Sequence, residues 1–420
     1  PLQFEPRGDK IITQYDMHAV EDMGLLKFDF LGIKNLSILG DAVKIARETT
    51  GIEVDLDNVP MDDKKTFEML ARGETMGLFQ LNGSGMTKYL KELRPTTVHD
   101  INAMVALYRP GPIEMIPEYI KRKNDPRMIT FLDPRMKDIL SASFGVITYQ
   151  DDVMLIAIHL AGYSWLEADK LRKAMGKKIP AEMEAQKTKL LEGFIKHGLS
   201  NNQANELWLQ IEPFAAYGFN KAHAASYGRV AYQTAYMKAN FPAEYMTAVL
   251  TADAGDIEET SNIVAECKRM NIPILPPDIN QSNGSFTVIK NLKGDEIRFG
   301  LYAIKNLGEE ISNVIIAERK RGGQFKTFSN FLERVKHRNL NKKSLEALIK
   351  AGALDEMGER GQMIANMEDV LNYIRENAKS FAAQTSLFGG MTDKASVPDL
   401  KLKPASPASM FDKLNWEKEL

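Results

Sequence analysis

From about residue 36 to about residue 250 the apolar residues of this chain recur at helical spacing, and that pattern decides most of what it can fold into. Stretches 62–71, 152–160, 181–197 and 222–239 each carry the helical period, and Pro/Gly turns such as Arg109-Pro-Gly-Pro112 punctuate them. Shorter patterns frame this block. Leu25-Leu-Lys-Phe-Asp-Phe-Leu31, followed by Gly32, alternates and predicts a strand. Ile274-Leu-Pro-Pro-Asp-Ile279, Phe286-Thr-Val-Ile289 and Ile297-Arg-Phe-Gly-Leu301 predict short strands and turns, with helices resuming at 308–320 and 341–372. From about 378 to 409, Gly389-Gly390 and a Pro/Ser/Lys/Asp mixture read as a linker. The expected fold class is mainly α with small β elements (α+β), divided at 1–35, 36–250, 251–375 and 376–420.

Composition narrows the function classes. The 420 residues are 44% apolar and 26% charged, which excludes wholesale disorder. Lys and Arg number 54 and Asp and Glu 56, leaving a net charge of −2. A nucleic-acid binder acting through bulk charge is excluded, so any polyanion site must be local. One cysteine, Cys267, rules out an intramolecular disulfide framework and a multi-Cys zinc site, and fits a reducing compartment. Six scattered histidines argue against a His-rich metal centre. No signal peptide is visible, and the apolar run 153–163, interrupted by His159, is too short to span a bilayer. A soluble cytoplasmic chain without membrane contact is expected. Both ends, Pro1-Leu2 and Leu414-Asn-Trp-Glu-Lys-Glu-Leu420, look like cuts through a longer protein.

Three constellations could carry chemistry. On the expected strand, alternation places Lys27, Asp29 and Leu31 on one face and Leu26, Phe28 and Phe30 on the other. The Lys/Asp face could hold a metal or a phosphate, but taken alone this stretch reads first as an exposed pair on a half-buried strand. Next, Lys170-Leu-Arg-Lys-Ala-Met-Gly-Lys-Lys178 puts Lys170, Lys173 and Lys177 on one helix face with Arg172 beside them, and no acid lies within the run. Phosphate contact and a solvated lysine face both suit it. Third, in Tyr217-Gly-Phe-Asn-Lys-Ala-His-Ala-Ala-Ser-Tyr227, Gly218 allows a tight turn and Asn220 is a plausible N-cap. Lys221 and His223 then fall in the first helical turn, where cations oppose the helix dipole unless an anion joins them. A merely solvated first turn remains the alternative. Tyr217 could stack on a base, whereas Tyr232 and Tyr236 read as packing residues.

Weaker signals are the rigid Arg109 turn, a hairpin at Ile304-Lys-Asn-Leu-Gly308 whose N–H groups could hold a DNA phosphate, and Gln384-Thr-Ser-Leu-Phe388, suited to a partner's groove. Asp55-Leu-Asp57 has metal-site spacing but sits in a turn with a capping role, and reads as a decoy.

In order along the chain stand Lys27-Phe-Asp-Phe-Leu-Gly32, Gly77-Leu-Phe-Gln80, Arg109-Pro-Gly-Pro112, Tyr149-Gln150, Leu171-Arg-Lys-Ala-Met-Gly-Lys-Lys178, Tyr217-Gly-Phe-Asn-Lys-Ala-His223 and Leu275-Pro-Pro-Asp-Ile-Asn280. Together they resemble the alpha (catalytic) subunits of bacterial DNA polymerase III, the C-family replicative polymerases. The resemblance spans essentially the whole chain. It implies the tail of a nucleotidyltransferase-type palm, helical fingers, a helix-hairpin-helix region and the start of a clamp-binding region. It also implies template-directed transfer of dNMP to a primer 3′-hydroxyl through two Mg²⁺ ions.

By that resemblance Asp29 matches the third metal-holding carboxylate, with Lys27 near the triphosphate. Arg172 and Lys173 match the basic pair approaching the triphosphate, with Lys177 beyond them; lysine in the second place is a point charge and not a bidentate fork. Tyr217 lies beside the incoming nucleotide, with Asn220, Lys221, His223 and Arg109 around it. Lys305 and Gly308 face DNA in the hairpin, where Asn306 stands at a usual glycine position and tolerates positive φ. Gln384, Leu387 and Phe388 match the motif that docks in the sliding clamp (beta subunit). Implied partners are primer-template DNA, dNTPs, the clamp and other replicase holoenzyme subunits. The two other palm carboxylates and the thumb are absent, and Asp55 and Asp57 come too late in the chain to replace them, so these residues alone are expected not to polymerise. The competing expectation is a non-catalytic DNA- and clamp-binding module.

Overall fold

The computed structural model describes residues 1–28, 30–177, 180–215, 218–383 and 400–419. It begins with a hairpin in which β1 (Leu2–Phe4) pairs antiparallel with β2 (Ile11–Thr13), Leu2 opposite Thr13 and Phe4 opposite Ile11. The strand expected over 25–31 does not form: residues 25–28 and 30–33 have no regular structure. A strand exists only where a neighbour takes up its N–H and C=O groups, and no described strand lies beside this one. Its apolar side chains are left in solvent, Leu26 at 84% and Phe30 at 95% exposure.

The helical block forms as its periodicity demands, around the helix Lys221–Asn240, which is about 30 Å long. Small residues among its buried positions (Ala224, Gly228, Ala231, Ala235) let neighbouring helices come close. Val98–Leu107 packs along one side and Lys64–Arg72 along another. At Gly228 a β-carbon would overlap the Asn102 amide. Tyr232 is a packing residue, as expected: it is buried, and its hydroxyl donates to the Pro60 carbonyl (2.5 Å). Pro242–Ala252, opened by proline at its first position, lies on Lys34–Thr50. Gln150–Ala161, Trp165–Lys177, Pro180–Lys196 and Asn201–Ile211 extend the same core.

Lys238 ends this block as a fully buried ammonium. Its three donors reach the carbonyls of Glu74 (3.1 Å) and Met76 (2.8 Å) and the Glu266 carboxylate (2.6 Å). Burial pushes the Lys238 ammonium down, opposed by the Glu266 hydrogen bond. Burial would also raise Glu266, but hydrogen bonds from Arg269 and Lys238 prevail and hold it at about 2. Three acceptors around Nζ match the three donors of an ammonium.

A three-stranded sheet follows, in order β3 (Ile274–Leu275), β5 (Glu296–Arg298), β4 (Thr287–Ile289), with β3 parallel and β4 antiparallel to β5. Lys290, just past β4, ties it to the helices by reaching the buried Glu244 (2.6 Å) and Asp295 (2.7 Å). A second core then gathers Ile279 with residues from Leu301 to Tyr373. The helix expected at 308–320 is Glu309–Gly322. The 341–372 stretch is three helices, Lys342–Lys350, Arg360–Ala365 and the start of Met367–Ala383, interrupted first at Gly352 with φ +79°. The expected linker docks back from residue 400. Leu400 and Leu402 pack on the second core, and Lys403 exchanges two hydrogen bonds with the Asn366 side chain (2.8 and 3.0 Å). The helix Met410–Glu419 is held by Arg360, which pairs with Glu417 (2.7 Å) and Asp355 (2.7 Å). Among the described residues no helix is long and apolar enough to cross a membrane.

Candidate functional site

Two helices begin at the same place. Asn220 caps Lys221–Asn240 as its sequence predicts, its Oδ1 accepting from the His223 N–H (2.9 Å). The first N–H of that helix, on Lys221, donates to the Asp151 carboxylate at the start of Gln150–Ala161 (2.7 Å). In return the Gln150 N–H donates to the Phe219 carbonyl (3.0 Å). Both positive helix ends therefore converge, and an internal carboxylate already occupies one of them. Behind it, the buried Asp152 accepts from the N–H groups of Thr148 and Tyr149 (2.9 Å each). Burial raises its carboxyl to about 6 despite those hydrogen bonds.

Cations and rings line the opening. The Arg109 guanidinium stacks 4.6 Å over Phe219, Phe219 meets His223 edge-on at 4.9 Å, and His223 lies 4.2 Å from Tyr227, which packs on Phe79 at 5.2 Å. The Lys221 ammonium sits 5.6 Å over Tyr149. Ala106, Tyr149 and Ala224 form the floor under Phe219. Arg109 is presented by a turn in which Gly111 has φ +92°; Pro112 has no N–H, so closure falls to the Ile113 N–H on the Arg109 carbonyl (3.0 Å). Four short motifs spread over about 150 residues, those at 77–80, 109–112, 149–150 and the described part of the fourth, 218–223, thus meet in one place.

The basic helix differs from its expectation. Arg172 and Lys173 are not an unpaired cluster: Asp169, one residue before the run and three and four residues from them, binds both (2.8 Å each). Lys170 is exposed, and Lys177 ends the helix Trp165–Lys177. Among the described residues no hydrogen bond or ion pair joins Arg172 or Lys173 to Arg109, Lys221 or His223.

Elsewhere, Asn306 takes φ +70°, as its place in the hairpin predicts. Lys305 is exposed, and Gly308 caps Glu309–Gly322 from extended backbone, followed by two glutamates, Glu309 and Glu310. Asp55 caps a short turn by accepting from the Asp57 N–H (2.9 Å), consistent with a decoy. Lys27 is half-buried on the irregular N-terminal segment. Asp29, Tyr217, Gln384, Leu387 and Phe388 lie outside the described residues. Among the described residues no group of three His, Cys, Asp or Glu side chains could hold a metal ion. Sequence reasoning missed Asp151, which takes the N–H that opens the Lys221 helix, and Asp169, which pairs with Arg172 and Lys173. Asp169 was legible from its i+3 and i+4 spacing; Asp151, seventy residues from Lys221, was not.

Comparison with known proteins accounts for the convergence of these motifs. Residues 35–198 match the bacterial DNA polymerase III alpha subunit finger domain, residues 1–32 the domain described as the bacterial DNA polymerase III alpha NTPase domain, and residues 271–363 a helix-hairpin-helix motif. The whole chain is 42% identical to DNA polymerase III subunit alpha of Thermus aquaticus and 40% identical to that of Deinococcus radiodurans, covering 34% and 32% of those proteins. A Mycobacterium tuberculosis subunit alpha matches 95% of the chain at 40% identity. The chain spans about a third of the length of these curated relatives. With motifs and identity in agreement, this chain is similar along its whole length to a segment of the bacterial DNA polymerase III alpha subunits.

Proposed function

We propose that this chain is the fingers-centred part of a template-directed DNA polymerase that transfers dNMP from a dNTP to a primer 3′-hydroxyl and releases pyrophosphate. The observation that carries the proposal is the gathering of Arg109, Lys221 and His223 where two helices start. Converging helix N-termini with a guanidinium, an ammonium and an imidazole favour a polyphosphate, and the neighbouring rings suit a base or sugar. In this reading Arg172, Lys173 and Lys177 approach the triphosphate from the basic helix, Asn220 fixes the helix start and Tyr217 stands beside the nucleotide. Asp29 and Lys27 belong to the metal-bearing side, which takes Mg²⁺. The described residues do not by themselves fit a metal pair, so no step of the transfer is derived through one. Lys305 and Gly308 face primer-template DNA, and Gln384, Leu387 and Phe388 face the sliding clamp within a cytoplasmic replicase. The palm tail falls at 1–35, the fingers at 36–250, the helix-hairpin-helix region at 251–375 and the clamp segment at 376–420. These 420 residues alone do not extend a primer.

In the intact polymerase, Arg109→Ala and Lys221→Ala should each raise the KM for dNTP by about tenfold or more, the loss of one charged hydrogen bond, with primer-template affinity unchanged. An unaltered KM in both variants would remove the triphosphate from this site.

A further inference from the structure

We propose that Asp169 serves as the internal counter-anion of the basic helix: it neutralises Arg172 and Lys173 while no ligand is bound, and a polyphosphate displaces it. The inference rests on reading Arg172 and Lys173 as phosphate contacts. Each Asp169 oxygen is assigned to one cation, Oδ1 accepting from Arg172 Nε (3.0 Å) and Nη2 (2.8 Å) and Oδ2 pairing with Lys173 Nζ (2.8 Å). One carboxylate thus orients two cations side by side, while Leu171, Ala174 and Met175 bury the helix beneath them and fix its backbone.

The arrangement contributes little to the fold. All three side chains stand on one helix and lie partly in solvent, at 33%, 38% and 61% exposure, so the pairs join no two elements. Its neighbour Glu167 behaves otherwise, binding Lys189 on the next helix (2.7 Å). Asp151 also differs, since it takes a backbone N–H and leaves the Lys221 ammonium over a ring. Asp169 alone among these acids occupies the side-chain charges a phosphate would need. A polyphosphate, with several anionic oxygens, can replace the carboxylate at both cations at once; a single monoanion replaces it at one.

The test is calorimetric titration of the full chain with inorganic tripolyphosphate at several salt concentrations. Asp169→Asn should bind about fivefold more tightly, the size of one exposed ion pair no longer competing. The slope of log K against log salt should steepen by about one, because bulk counterions then sit where the carboxylate did. Asp169→Glu, which keeps the charge, should restore wild-type affinity, and Asp169→Ala, a better helix former, should reproduce the Asn result even if the Asn variant misfolds. Affinity that is unchanged or weaker without the carboxylate, or a slope that does not move, overturns the assignment. Arg172→Ala and Lys173→Ala separate the two levels. If neither weakens tripolyphosphate binding, the phosphate reading itself has failed; if both do while removal of the Asp169 charge has no effect, only the role of Asp169 falls.

Discussion

Residues 1–31 and the helical block after them are equally rich in apolar side chains, yet one leaves them in solvent and the other buries them. Leu26 and Phe30 are almost bare, whereas Leu70, Leu90, Tyr232 and Tyr245 are fully enclosed. The contrast comes from backbone hydrogen bonding. A helix satisfies its interior N–H and C=O groups within its own segment, so periodicity and a neighbour's apolar face suffice to fix it. A strand must borrow partners from elsewhere. The alternation at 25–31 predicts a side-chain pattern and cannot supply the adjoining strand.

That contrast can be broken or sharpened by mutation, beginning where the largest effect is expected. Lys238→Met leaves Glu266 and two carbonyls without their shared ammonium, and should cost about 3–5 kcal/mol in urea unfolding of the chain. A loss below about 1 kcal/mol would mean that the buried charges do not organise the helical block. Asp152 gives the block a pH signature. Its carboxyl is raised by burial from 3.8 to about 6, so the folded chain holds a proton that the unfolded chain releases across that range. Stability should therefore fall as pH rises from about 4 to about 6, by on the order of 2 kcal/mol, and then level off. Asp152→Asn, whose amide oxygen can still accept from Thr148 and Tyr149, should abolish that slope, and a slope that survives assigns it to another group.

Smaller again is Gly228→Ala. It forces Asn102 and its helix outward and should cost about 1–3 kcal/mol in the same unfolding measurement; full stability would show that the two helices yield freely. Finally, Phe30→Ser and Leu26→Ser should change stability by no more than about 0.5 kcal/mol, because nothing is uncovered. A larger loss in either would show that the N-terminal segment is packed after all.

Legibility in the sequence followed the range over which each feature is decided. The helices at 62–71, 152–160, 181–197 and 222–239 correspond to Lys64–Arg72, Gln150–Ala161, Pro180–Lys196 and Lys221–Asn240. The Asn220 cap and the positive φ of Asn306 were equally readable, each being set within a few residues. The site was readable only in pieces. Nothing in the spacing says that Arg109 will stack on Phe219, or that Asp151 will close on Lys221, since tertiary packing brings these partners together. Asp169 shows a different failure: the window drawn around the basic run stopped one residue short of its neutralising acid.

The close seam between Val98–Leu107 and Lys221–Asn240 sets more than stability. Arg109 hangs two residues beyond the end of the first helix, and Lys221 opens the second. The two helices meet at Asn102 with Gly228, and Ala106 and Ala224 lie together in the site's floor. The distance between the arginine and the lysine is thus a ruler graduated in small side chains. A single added methyl along that seam would lengthen it, so volume gained in the interior would be read out as a misplaced guanidinium at the surface.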